Sequence, residues 1–172
     1  MENTQPKTGK FALKFGLIQG AIGIVFSLML FSLDMHYEQN PVAGIIGLVI
    51  MAVIISIAIY QYKKANNNVL TLSQALKVGI GTALIAGVLG VIYQYLLVNV
   101  IDPLFMDKFA EVQRAKLGEM GKFTSEEIEK QIEMSKEWFW IGYPIALIMS
   151  LFFGFIFSLI GGLIMKKAPS EY

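Results

Sequence analysis

Four stretches of this chain contain no Asp, Glu, Lys or Arg: residues 15–33, 39–62, 78–101 and 138–165, of 19, 24, 24 and 28 residues. A helix of about 20 mostly apolar residues crosses a hydrocarbon core, and in lipid the backbone must satisfy its own hydrogen bonds, so each stretch predicts a transmembrane helix. The charged residues, 16% of the chain, fall well short of the roughly 25% of a soluble domain, which excludes a soluble helical protein. The expected fold is an all-α integral membrane protein. It has four transmembrane helices and an extracytoplasmic helical insert, residues 102–137, within one membrane domain spanning residues 1–172.

The chain has no cysteine and one histidine, so disulfides, thiolate metal sites and multi-histidine centres are excluded. A net charge of +1 with basic residues scattered in pairs gives no footprint for nucleic acid. The position of the basic residues is more informative. Lys7, Lys10, Lys14, Lys63, Lys64, Lys77, Lys166 and Lys167 all flank one side of the expected bundle, whereas the turn from Asp34 to Pro41 has no Lys or Arg and residues 102–137 hold six diluted among nine acids. The positive-inside rule then places both termini in the cytoplasm. The first span is long for a signal-peptide core and lacks a small-residue exit at Phe31 to Asp34, so it is expected to remain as a span.

Turn chemistry marks the boundaries. Asn40 before Pro41 fits an N-cap and first helical position, and Asn66, Asn67 and Asn68 close the second helix in polar linker. Ala12-Leu13-Lys14-Phe15-Gly16 is echoed 63 residues later as Ala75-Leu76-Lys77-Val78-Gly79. This is either a duplicated helical hairpin or a chance recurrence of small residues beside a membrane-edge lysine.

Thirteen of the sixteen glycines fall inside the charge-free stretches, where small residues every fourth position let a neighbouring backbone approach. Three ridges result: Ala12, Gly16, Gly20; Ala75, Gly79, Ala83, Gly87; and Ser150, Gly154, Ser158, Gly162. They face one another inside a bundle, or one of them faces outward and docks another membrane protein or a second copy.

Polar groups at membrane depth are few, and none is a carboxylate, lysine or histidine, which counts against proton relays and ion-coupled transport. Gln19 and Thr82 are expected to bond between helices. Tyr95, Asn99 and Asp102 fall at i, i+4 and i+7 and, with Gln94, form a candidate polar face for a lipid or sugar head group; alternatively Asp102, before Pro103, caps a helix restart.

The insert reads as two amphipathic helices. Phe105, Phe109 and Val112 share an apolar face that is the candidate partner contact, and Thr124 with Glu127 forms a capping box. Glu126 and Lys130 are spaced as a supporting pair, Trp138, Trp140 and Tyr143 form an interfacial belt, and Pro144 marks an expected kink. Asp34, His36 and Glu38 alternate on a short turn, an arrangement that rarely converges on a metal, and no phosphate loop or nucleophile motif is present. No catalytic residue, metal or cofactor is expected.

The run Phe11-Ala12-Leu13-Lys14-Phe15-Gly16-Leu17-Ile18-Gln19-Gly20, the segment Leu70 to Gly79 and the run Tyr93-x-Tyr95 leading to Asn99-x-Ile101-Asp102-Pro103 resemble domain-of-unknown-function family 4199. The resemblance covers nearly the whole chain. It implies a small multi-pass protein of the inner membrane of Gram-negative bacteria, with a charged insert and no established activity. Its members are sometimes encoded near envelope glycosyltransferases, which implies an accessory role in envelope biogenesis. Two functions follow as expectations: a non-enzymatic accessory or scaffold subunit in the bilayer, or a carrier or flippase for a lipid-linked or amphipathic small molecule. A continuous polar groove between helices favours the carrier, and a tightly closed bundle the scaffold.

Overall fold

The computed structural model describes residues 5–38 and 40–168; residue 39 and the outermost residues of both tails lie outside it. Among the described residues six α-helices follow in order: α1 (Thr8–Ser32), α2 (Pro41–Ala65), α3 (Leu72–Leu96), α4 (Phe105–Glu119), α5 (Ser125–Glu137) and α6 (Gly142–Met165). A wide π-type turn, Leu97–Ile101, prolongs α3, and a 3₁₀ turn, Phe139–Ile141, leads into α6. Among the described residues four helices are long and apolar enough to cross a membrane: Thr8–Ser32, Pro41–Ala65, Leu72–Ile101 and Phe139–Met165.

The helix ends follow local chemistry. Asn40 accepts from the Val42 amide at 2.9 Å with Pro41 at the first position of α2. Reciprocal capping boxes start α3 (Thr71 with Gln74) and α5 (Thr124 with Glu127). Asn67 and Asn68 take positive φ angles of 53° and 61°, a conformation asparagine tolerates, so the chain reverses after α2. Pro144, where a kink is expected, sits in the first turn of an unbroken α6 that follows the 3₁₀ turn, and its missing N–H costs nothing there.

α3 lies at the centre, packed against α1, α2 and α6. Its ridge meets that of α6 in an antiparallel register: Ala75 opposes Gly162, Gly79 opposes Ser158, Ala83 opposes Gly154, and Gly87 opposes Ser150. A second row on α3 receives α1 in parallel, with Gly81 against Ala12, Ile85 against Gly16 and Leu89 against Gly20. A Cβ added at Gly16 would lie 2.6 Å from that of Ile85, so the glycine is what admits the isoleucine. All three ridges therefore pack within the bundle, and the two copies of the 63-residue echo face different neighbours. Ser150 Oγ bridges two helices by donating to the Ala83 carbonyl at 3.0 Å, and Ser158 Oγ bonds back to the Gly154 carbonyl.

Packing differs between the two ends. At the end that holds the α2–α3 linker, Ile55, Ala58, Ile59, Tyr62, Leu70, Ala75 and Val78 form a closed core, and Leu70 and Lys167 exchange backbone hydrogen bonds of 3.0 Å. Towards the insert the bundle loosens. Gly23 of α1, Gly44 and Gly47 of α2 and Gly90 of α3 each face open space, since an added Cβ there would meet nothing within 4 Å.

α4 and α5 pair through Ala110, Leu117, Ile128 and Ile132. The ion pairs across them are Arg114 to Glu129, bidentate at 2.6 and 2.9 Å, and Lys136 to Asp107 at 3.0 Å, rather than the Glu126–Lys130 pair expected within α5.

Candidate functional site

The insert is tied to the rest of the molecule by a cluster of polar and aromatic side chains. Asp102, at the end of the wide turn, is 8% exposed and accepts from the Tyr37 hydroxyl at 2.5 Å. His36 Nε2 lies 3.3 Å from the same oxygen, and Lys108 of α4 donates to the Tyr37 hydroxyl at 2.8 Å. Burial opposes ionisation of Asp102, yet the hydrogen bonds from Tyr37 and His36, with the Lys108 charge nearby, outweigh it and hold the carboxyl below its ordinary range. Burial first, and then the Asp102 bond, push the Tyr37 hydroxyl up, while its bond to Tyr37 raises Lys108. Phe105, 4% exposed, backs the cluster with its ring 5.6 Å from Tyr37 and 5.8 Å from Phe139.

This arrangement separates the residues of the expected polar face. An α-helix would bond the Asp102 amide to residue 98; instead it donates to the Leu97 carbonyl at 2.8 Å, five residues back. One extra residue in the turn rotates all that follows by about 100°, which swings Asp102 off the stripe. Tyr95 and Asn99 remain exposed, with Asn99 Nδ2 donating to the Tyr95 carbonyl at 2.8 Å. Gln94 is half-buried and lines a cavity with residues of α6. Nor does Asp102 cap α4 with its side chain: that helix follows Leu104 with no side-chain cap.

Other expected contacts also change. Phe105 is consumed inside the chain, and Phe109 and Val112 pack against the same cluster, because the α1–α2 turn folds up under the insert to meet them. The His36 ring turns in toward Asp102, away from a convergence with Asp34 and Glu38; among the described residues no cluster of three metal-ligating side chains forms. Thr82 donates to the Val78 carbonyl of its own helix at 2.8 Å, and Gln19 Oε1 is buried without a partner among the described residues, so neither is seen to make the expected interhelical bond.

Two adjacent cavities occupy the loosened half of the bundle. A vestibule of about 660 Å³ opens where α5 turns into α6, walled by Phe109, Trp138, Phe139 and Tyr143 with Gly90 and Gln94 at its base. A smaller chamber of about 230 Å³ lies between α1, α2, α3 and α6, and brings together Gln19, Ser27, Tyr93, Gln94 and Ser150. Gly87, Gly90 and Gln94 line both, so this stretch of α3 is common to the two cavities. The aromatic wall combines apolar area with polar tips and suits an alkyl chain; the chamber has hydroxyl and amide groups without Asp, Glu, Lys, Arg or His. Gln94 was legible in sequence, whereas Gln19 and Tyr93 were visible only as isolated polar residues. Their convergence depends on which faces of α1 and α3 meet.

Comparison with curated proteins and comparison with solved structures each return no match. Residues 14–167 match the family described as "Protein of unknown function (DUF4199)", and the chain belongs to that family.

Proposed function

We propose that this membrane protein is a non-enzymatic carrier that takes an amphipathic small molecule from the bilayer into the groove between α3 and α6. The observation that supports this is the adjacency of an aromatic vestibule and an uncharged polar chamber, which share Gly87, Gly90 and Gln94 in their linings. Pockets for small molecules combine mostly apolar walls with a few convergent polar groups, and this groove has both. An accessory or scaffold role in envelope biogenesis is less well supported, because the three small-residue ridges and Phe105 are occupied within the chain. The large apolar side chains left exposed on the insert are Leu104, Met120, Phe123 and Met134.

In this reading the protein sits in a bacterial inner membrane with both termini in the cytoplasm and the insert outside it, as the eight lysines at one end favour. An alkyl probe bearing a diazirine, photolysed in native membranes, tests the function. Labelling should concentrate on Val91, Gln94 and Trp138 to Ala146; labelling spread evenly over the lipid-facing side chains of α2 would contradict it.

A further inference from the structure

Gln19 and Tyr93 are each 9% exposed, and Gln19 Oε1 and the Tyr93 hydroxyl are shut off from solvent without a hydrogen-bond partner among the described residues. Both side chains line the smaller chamber. Leaving a buried polar group unpaired is unfavourable, and native structures rarely do so without a reason. Neighbouring groups do not relieve them. The Ser150 hydroxyl is already committed to the Ala83 carbonyl. The space beside them is kept open by Gly23, Gly47 and Gly90, none of which has a neighbour where a side chain would begin.

From this we infer that the chamber is a binding site for the uncharged, hydroxyl-bearing head group of an amphiphile, whose alkyl chain lies in the aromatic vestibule. The inference rests on the groove reading above and specifies its ligand. Three features select the head group. Gln19 Oε1 only accepts, so the ligand must bring a donor, and a hydroxyl can donate to it while accepting from the Tyr93 hydroxyl. A chamber with no Asp, Glu, Lys, Arg or His offers nothing to balance a phosphate, carboxylate or ammonium removed from water, so a charged head is disfavoured. Its volume of about 230 Å³ also matches only a small head, since a water takes about 30 Å³ in the liquid.

The test uses the full chain in phosphatidylcholine nanodiscs and four probes with one tail: 1-dodecylglycerol, dodecyl methyl ether, dodecanoate and dodecyltrimethylammonium. Binding is read from tryptophan emission, Trp138 standing at the vestibule wall. Dodecylglycerol should bind about tenfold or more tightly than the other three, as expected for two hydrogen bonds of ordinary net strength. Gln19→Leu and Tyr93→Phe should each reduce that preference about three- to tenfold without lowering the melting temperature, because neither removes an existing bond.

A preference that survives both variants would mean that the pair holds only ordered water, and would overturn the inference. So would equal binding of all four probes; if Gly90→Phe still abolished that binding, the groove reading would stand without its head-group assignment. Binding of none of them, or binding indifferent to Gly90→Phe, would overturn both.

Discussion

Tyr37 donates its phenolic proton to Asp102 across 65 residues of sequence, joining the α1–α2 turn to the base of the insert. A buried hydrogen bond to a charged acceptor contributes about 1.5–3 kcal/mol, so Tyr37→Phe should destabilise the detergent-solubilised protein by roughly that amount. Lys108→Ala should cost less, since that amine is open to solvent and screened. Thermal melts of the two variants and of their combination check this, and near-additive losses would show that Lys108 does not act through Tyr37.

The same cluster has a pH signature. In the folded protein Asp102 titrates below its ordinary value of 3.8, so its contribution is fully present above that pH and is lost as pH falls through the folded value. Melting temperature should therefore drop on acidification below about 4. Asp102→Asn should start lower and show a weaker drop over the same interval; an identical acid limb in both proteins would assign the loss to other carboxylates.

Ala83 faces Gly154 at a backbone approach with no room for a larger side chain. Ala83→Leu should overpack this contact and lower stability by about 1–3 kcal/mol. An unchanged melting temperature would mean that α3 and α6 do not meet along this row.

Because the chain has no cysteine, single cysteines report sidedness without background. An impermeant thiol reagent applied to spheroplasts should label Glu126→Cys in the insert and leave Ala65→Cys at the end of α2 unlabelled until the membrane is broken. The reverse pattern would invert the proposed topology.

The spans, the Asn40–Pro41 start of α2, the Thr124–Glu127 box and the three ridges were all legible, because each depends on spacing within one helix or on local turn chemistry. What could not be read were relations between segments. The wide turn at Leu97–Ile101 has no local marker, so Asp102 was counted on a stripe from which one inserted residue removes it. The face of α4 bearing Phe105 looked available because nothing in its own sequence reveals that Tyr37 folds beneath it. Similarly, Gln19 and Tyr93 become one site only after α1 and α3 pack in register, with Gly16 against Ile85 and Gly20 against Leu89.

The most direct test of the groove is native mass spectrometry of the protein extracted from its own membrane, wild type beside Gly90→Phe. Gly90 lines both cavities and faces open space, so a phenylalanine there should fill the groove without disturbing helix contacts. The wild-type protein should carry a bound amphiphile of defined mass that Gly90→Phe loses at unchanged melting temperature. The same adduct, at the same occupancy in both proteins, would contradict the carrier reading.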